Sequence, residues 1–140
     1  MAGALAYEPD GGSNAHLVFQ LCPGAYNDET LIEFLTELNQ LEQQRPLLLI
    51  WDGLPSHRSR RMSEWIASQR EWLWVERLPG YAPDLNPIEQ VWGRLKSAEL
   101  ANLCSDTIDE VASIAEDGLD RIGSDASLCF AFLRHAGLRL

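Results

Sequence analysis

The segment Leu47-Leu48-Leu49-Ile50-Trp51-Asp52 is a continuous apolar run that ends in an acid. Turn formers bound it, with Pro46 before it and Gly53-Leu54-Pro55 after it. Such a run predicts a strand that is buried on both faces, as in a parallel sheet. Asp52 then falls at the carboxyl end of the sheet, where open α/β folds place their functional sites.

Hydrophobic periodicity on either side of this run predicts the other elements. A helix over residues 58–69 and a strand over 72–75 complete a strand–helix–strand unit with the apolar run. Further elements are hairpin strands at 2–7 and 16–21, joined by turn formers at 8–14, and helices beginning near Asn27 or Asp28, at 87–103, after a cap at Asp106, and at 126–135. The pattern predicts an α/β domain with a C-terminal helical layer.

The composition is that of a folded, reduced chain. A length of 140 residues with 46% hydrophobic residues and five tryptophans is sufficient for one domain with a real core. Three widely spaced cysteines without a CxxC pattern argue against a disulfide scaffold and against structural zinc. There is no signal-peptide pattern, and the longest run of hydrophobic residues has six members, so we expect a cytoplasmic location and no membrane association.

The net charge of −10 is unevenly distributed along the chain. Residues 1–44 carry −7, residues 45–97 carry +2, and residues 98–140 carry −5. Because phosphate contacts supply most non-specific affinity for nucleic acids, the two acidic thirds are poor candidates for that role. The middle third is the one candidate nucleic-acid surface.

Two acids in this middle third are candidate metal ligands, and each has a structural alternative. Asp52 is also a common type of turn acid for Gly53-Leu54-Pro55. Asn86-Pro87-Ile88-Glu89 is a typical helix start, in which Glu89 would be the acid of a capping box. Gly93 lies one turn after Glu89, and a helical Gly costs about 1 kcal/mol relative to Ala, which indicates close approach of another group. A carboxylate at this helix start, facing the one at the strand end, would make a metal site.

Three bases and a histidine follow Asp52 in the stretch Ser56-His57-Arg58-Ser59-Arg60-Arg61. One interpretation is a phosphate-binding rim beside a metal site. The other is a solvated helix start with an exposed imidazole. The residues alone leave both interpretations open.

Three stretches together closely resemble one family. They are LLIWDGLPSHRS at 48–59, RLPGYAPDLNPIEQVW at 77–92, and GRLKSAELANL at 93–103. They are similar to the catalytic domain of DDE-type transposases of bacterial insertion sequences, in the mariner-like superfamily. The resemblance extends over about residues 1–135, and the block at 79–89 is highly specific.

The resemblance implies an RNase H-like α/β fold, a mixed sheet flanked by helices, in which three carboxylates hold two Mg²⁺ (or Mn²⁺) ions. Asp52 matches the second acid of the family and Glu89 the third, with 36 residues between them. Metal pairs roughly 3.5–4 Å apart promote in-line displacement at phosphorus, here strand cleavage at transposon ends and joining to target DNA. The candidate DNA contacts are His57, Arg58, Arg60 and Lys96.

The first acid of the family has no match in this sequence, because it lies on a strand upstream of the hairpin. We therefore expect residues 1–140 to form a single, partial catalytic domain that lacks the first strand and has little or no activity alone. An upstream transposase fragment is the expected partner that restores the site. Chemistry at two transposon ends is also compatible with a homodimer.

Two other interpretations stay open. The first is a non-catalytic, truncated transposase that regulates the full-length protein through subunit contacts. The second is an inert remnant. The catalytic interpretation requires an upstream segment with an Asp on an apolar strand, whereas the regulator requires a separate start and a full-length copy in the same cell.

Overall fold

The computed structural model describes residues 1–8, 14–80, 83–101, 103–104 and 107–139. Its strands and α-helices, in chain order, are β1 (Ala2–Tyr7), β2 (Ala15–Gln20), α1 (Asp28–Leu41), β3 (Leu47–Trp51), α2 (Arg60–Ser68), β4 (Leu73–Arg77), α3 (Pro87–Arg94), α4 (Ile108–Gly123) and α5 (Ala126–His135). The chain divides into a first unit, Met1–Ala2 with Cys22–Pro83, and a second unit, Gly3–Leu21 with Asp84–Leu140. Each unit is described by itself below.

The first unit is built around the predicted strand–helix–strand motif. β3 pairs with β4 in parallel, in a register that sets Leu47 opposite Leu73 and Trp51 opposite Arg77. The parallel pair and its helical connection confirm the prediction. The motif brings the carboxyl ends of both strands, and therefore Asp52, to the same end of the sheet.

The prediction that β3 is buried on both faces is wrong for this chain. Exposure alternates along the strand, with Leu48 62% and Ile50 45% exposed while Trp51 is buried. Trp74 of β4 lies opposite Leu48 and is exposed as well. Because successive strand residues point to opposite faces, one face of the β3–β4 pair is buried and the other carries exposed apolar side chains.

Helix α1 begins at the predicted cap. The Asn27 side chain accepts hydrogen bonds from the backbone N–H groups of Glu29 (2.9 Å) and Thr30 (3.1 Å). The Thr30 hydroxyl accepts the Asn27 N–H in return, at 3.0 Å, which completes a capping box. The buried side of the helix consists of Leu31, Phe34, Leu35 and Leu38, at the predicted helical spacing.

The second unit has a core formed by the hairpin and the C-terminal helices. Its buried cluster comprises Leu17, Val91, Leu95, Ala115, Leu119, Ile122 and Phe132. The helix predicted to begin at residue 87 has one apolar side, in which Val91 and Leu95 are fully buried and Ile88 and Trp92 pack against the cluster. Ile108 is the first residue of α4 and is 80% exposed.

Strands β1 and β2 hydrogen-bond to each other, as predicted for a hairpin. The connection between the two strands is too short for the crossover that parallel strands need. The two strands must therefore run antiparallel. Residues 9–13 of the predicted turn lie outside the described residues. In the part of the chain that is described, the strands form two two-stranded sheets, β1–β2 and β3–β4.

A hydrogen bond connects the hairpin to α5. The Tyr7 hydroxyl donates to the backbone oxygen of Cys129 at 2.8 Å, and the Cys129 thiol is fully buried. Burial raises the pKa of Tyr7 and the pKa of Cys129 above their ordinary values. Both groups therefore stay neutral in the folded protein at neutral pH.

The predicted helix over 87–103 changes its geometry part-way. α3 ends at Arg94, and Leu95–Glu99 forms a π-helical turn, in which Leu100 N–H donates to the Leu95 carbonyl at 3.1 Å. Glu99 pairs with Arg121 of α4. The predicted cap of α4, Asp106, lies outside the described residues; Thr107 caps this helix, with its hydroxyl accepting the Glu110 N–H.

Two helical glycines are expected to respond oppositely to alanine. A Cβ on Gly118 would lie 2.8 Å from Glu99 Cγ and 2.9 Å from Leu95 Cδ1, whereas a Cβ on Gly93 would have no atom within 4 Å. We expect Gly118→Ala to destabilise the protein by about 1–3 kcal/mol through overpacking. Gly93→Ala should stabilise it by about 0.5–1 kcal/mol, because Ala loses less backbone entropy than Gly.

Urea unfolding of the two glycine variants beside the unchanged chain measures both effects. Gly93→Ala serves as the control, since it adds the same methyl group to a helix without a contact. A stabilising Gly118→Ala would contradict the close packing of α4 on the π-helical turn.

No helix in the described ranges combines the length and the apolar character that a membrane span requires.

Candidate functional site

Asp52 directly follows β3, and its carboxylate is held on one side. Its Oδ1 accepts a hydrogen bond from the Leu54 N–H at 3.1 Å and lies 2.9 Å from Nδ1 of His57. The side chain is 38% exposed. No described residue forms a hydrogen bond or ion pair with Oδ2. One carboxylate oxygen thus belongs to the loop, and the other is open to a ligand.

The imidazole of His57 is packed rather than solvated, with its side chain 12% exposed. Its ring stacks on the ring of Trp51, with centroids 4.1 Å apart and planes 3° apart. Nδ1 also lies 3.1 Å from the backbone oxygen of Asp52. The interpretation of an exposed imidazole is therefore wrong, because the loop folds His57 back onto the end of its own strand.

The loop between Asp52 and α2 is short and locally bonded. Pro55–Arg58 forms a 3-10 turn, in which His57 N–H donates to the Leu54 carbonyl at 3.0 Å. Pro55 favours such a turn, since its ring fixes φ and it needs no N–H partner at the first helical position. α2 then begins at a Ser59 cap, whose hydroxyl accepts the Met62 N–H at 3.0 Å.

Glu89 lies exposed in the first turn of α3, in the second unit. The helix begins at Pro87 as predicted, but the Asn86 side chain makes no capping hydrogen bond, so the expected capping box is not formed. No hydrogen bond or ion pair joins the Glu89 side chain to any described residue. The structural alternative for Glu89 thus loses its main support, and its carboxylate is open to a ligand.

Gly93 lies one turn further along α3 and is exposed, with open space where a side chain would be. The sequence predicted that this glycine leaves room beside Glu89 for the close approach of another group, and no described residue makes that approach. The structure shows that room on the helix surface.

The predicted DNA-contacting bases differ in their surroundings. Arg58 and Lys96 are exposed, the second on the π-helical turn. Arg60 is 91% exposed at its side chain and pairs with Glu64 at 2.7 Å, one turn later on α2. Arg60 fits the solvated interpretation, since such an exposed pair contributes little to stability. A role in DNA binding stays a prediction for all of these residues.

The described residues contain no group of three or more His, Cys, Asp or Glu side chains that could hold a metal ion. Asp52 belongs to the first unit and Glu89 to the second. The site that the structure describes is therefore the Asp52 loop, with Glu89 as a separate exposed carboxylate.

The profile of a family described as DDE superfamily endonuclease matches residues 12–112. The chain belongs to this family. Asp52 and Glu89 both lie in the matched range, so the predicted resemblance is confirmed at the level of the family. A search of curated proteins found no match.

The fold is similar to that of the catalytic domain of Mos1 transposase. A structure of that domain with raltegravir and Mn aligns with a TM-score of 0.62 and 17% identity, over 96% of this chain and 68% of that one. A crystal structure of the catalytic domain of Mos1 mariner transposase gives a TM-score of 0.62 and 17% identity, over 96% and 67%. A structure with raltegravir and Mg gives 0.57 and 17%, over 96% and 73%. At this identity the similarity establishes the fold, and it confirms the predicted RNase H-like α/β class.

The donor chemistry of the two acids fits a divalent cation such as Mg²⁺ or Mn²⁺. Both are carboxylates, the hard oxygen ligands that these ions prefer. Asp52 presents an oxygen without a described partner, and Glu89 is exposed at a helix start. Oδ1 of Asp52 makes contacts within its loop. A metal ion that bound Oδ2 of Asp52 or the Glu89 carboxylate would not have to replace a hydrogen bond to a described residue.

One functional feature was missed at the sequence level, namely the partnership of Trp51 with His57. Trp51 is buried, and one face of its indole stacks on the imidazole of His57. The available signal was the order Trp51-Asp52 followed by a proline turn and His57. This order of residues is compatible with stacking of His57 on Trp51, but the stacking follows only when the geometry of the turn is known.

Proposed function

We propose that this chain supplies Asp52 and Glu89 as metal-binding carboxylates of a DNA transposase, which cleaves strands at insertion-sequence ends and transfers them to target DNA. The observation that carries the proposal is the Asp52 carboxylate at the end of β3, with Oδ1 tied to its loop and Oδ2 open. Membership of the DDE superfamily endonucleases supports the reaction class.

The residues have distinct proposed tasks. Asp52 and Glu89 hold Mg²⁺ or Mn²⁺, which when bound would activate a water or a 3′-hydroxyl and stabilise the leaving oxygen. Arg58, Arg60 and Lys96 are exposed cations that would neutralise DNA phosphates and orient the strand. Release of counterions from the DNA then makes binding dependent on salt.

We propose that the 140 residues bind metal weakly by themselves and cleave DNA little. Asp52 and Glu89 are two carboxylates, whereas the family uses three. Among the described residues, no group of three or more His, Cys, Asp or Glu side chains could hold a metal ion instead. A strand-borne Asp from a further transposase segment would complete the site, and a homodimer would serve two transposon ends. A cytoplasmic location stays a prediction.

The direct test is an NMR titration of the chain with Mg²⁺ and with Mn²⁺, in which the amide signals of Asp52 and Glu89 are followed. The titration is repeated with a peptide that carries an apolar strand ending in Asp. Metal-dependent shifts at both acids, stronger with the peptide, would support a divided but recoverable site. A folded spectrum with no shift in either sample would reduce Asp52 to a turn acid and Glu89 to a helix-start acid.

A regulator that acts through subunit contacts is the second candidate, and a different observation favours it. The exposed face of the β3–β4 pair presents Leu48, Ile50 and Trp74, apolar side chains of the kind that interfaces bury. A regulator needs no metal, so it would inhibit a full-length transposase equally well with Asp52 and Glu89 replaced.

A further inference from the structure

We propose that His57 is a positioning residue for the metal ligand Asp52, and that Trp51 is the platform that holds it. This inference rests on the proposed function, because it concerns how the Asp52 carboxylate is prepared for a metal. It assigns His57 a role within the loop instead of the DNA contact predicted from the sequence.

The hydrogen-bonding chemistry determines which nitrogen of His57 carries the proton. Nδ1 lies 2.9 Å from Oδ1 of Asp52 and 3.1 Å from its backbone oxygen, and both of these atoms are acceptors. Nδ1 must therefore be the donor, and in the neutral ring Nε2 is left without a proton. The imidazole is thus a fixed donor aimed at one carboxylate oxygen.

Two donors converge on that same oxygen. The Leu54 N–H reaches Oδ1 at 3.1 Å from the backbone, while His57 reaches it from the side chain. A carboxylate held through one oxygen loses rotational freedom about its side-chain bonds, so its other oxygen keeps one direction. Outer-shell partners of this kind orient metal-ligating carboxylates in proteins.

The position of His57 is itself determined by packing and by the turn. Its ring lies parallel to the Trp51 indole at 4.1 Å, and its backbone N–H is bonded to the Leu54 carbonyl. Trp51 is buried and lies in the β3–β4 ladder opposite Arg77. The strand therefore fixes Trp51, Trp51 fixes the imidazole, and the imidazole fixes the carboxylate.

Three variants of the full chain separate the hydrogen bond from the packing. His57→Phe keeps an aromatic ring on Trp51 but has no donor. His57→Asn loses the ring, but its side-chain amide can place an N–H where Nδ1 lies. His135→Phe, at the exposed end of α5, is the matched control.

Binding of Mn²⁺ alone is measured for each variant by the broadening of backbone NMR signals. We expect about 10- to 100-fold weaker binding for His57→Phe, as is usual when an outer-shell partner is lost. His57→Asn should recover most of that loss, and His135→Phe should match the unchanged chain. Equal binding by His57→Phe and the unchanged chain, or no recovery by His57→Asn, would overturn the inference.

A second measurement on the unchanged, metal-free chain does not depend on any variant folding. Long-range ¹H–¹⁵N spectra of the neutral imidazole should show a protonated Nδ1 and an unprotonated Nε2. The opposite tautomer would overturn the inference, since Nδ1 would then be unable to donate to Asp52. Failure of the proposed function is distinguishable, because then Asp52→Asn would leave Mn²⁺ binding unchanged while the tautomer is as expected.

Discussion

Asp52→Asn is expected to weaken Mn²⁺ binding by more than the roughly 10- to 100-fold that loss of an outer-shell partner costs. The substitution replaces an anionic oxygen with a neutral amide, so both the charge and a hard oxygen ligand are lost. The amide oxygen of Asn still accepts from the Leu54 N–H and from His57 Nδ1, the two contacts that Asp52 Oδ1 makes. The loop should therefore keep its fold, and stability should change by less than about 1 kcal/mol.

The measurement is an electron paramagnetic resonance titration of free Mn²⁺, together with a urea unfolding curve for each protein. Glu71→Gln is the matched control, because Glu71 is an exposed acid that precedes β4 and so lies at the opposite end of the strand pair. It removes the same charge from the same unit and should leave binding unchanged. Equal losses for the two variants would mean that net charge, and not a specific ligand, attracts the ion.

Leu119→Ala is expected to destabilise the protein by about 3–4 kcal/mol, within the range for large-to-small changes in a well-packed core. Leu119 is 0% exposed and belongs to the buried cluster of the second unit. Side chains of the hairpin, α3, α4 and α5 form that cluster. The cavity left by the missing leucine side chain therefore cannot close unless several elements move. A loss of this size is a large fraction of the free energy of unfolding of a small protein.

Urea unfolding followed by circular dichroism measures the loss, and Ile108→Ala is the control on the same helix. Ile108 is 80% exposed, so its truncation should change stability by less than about 0.5 kcal/mol. If Leu119→Ala cost no more than Ile108→Ala, the packing of α4 in the second unit would be wrong.

Much of the fold could be predicted because each element carries a local signal. The Asn27 cap, the Pro87 helix start and the apolar spacing of α1 and α3 are properties of neighbouring residues, and the structure confirms them. The π-helical turn after Arg94 could not be predicted in the same way. It involves residues that pack against Gly118 and pair with Arg121, which are distant in sequence.

The same distinction between local signals and tertiary contacts applies to the candidate site. The acid after a strand and the acid at a helix start were identified from sequence position and from the family motif. The contacts of His57 were not, because the same residues permit an exposed imidazole or one folded back onto Trp51. The turn at Pro55–Arg58 selects between these, and its geometry depends on the strand end to which it returns.

The sequence by itself determined the family and the order of strands and helices, and it indicated the two candidate acids, since these follow from residue type and spacing along the chain. Only the tertiary structure decided that one face of β3 is exposed, that Asn86 does not cap α3 with its side chain, and that His57 holds Asp52. The physical reason is that burial and hydrogen-bond partners depend on which surfaces meet, and an apolar or polar residue type is compatible with more than one neighbour.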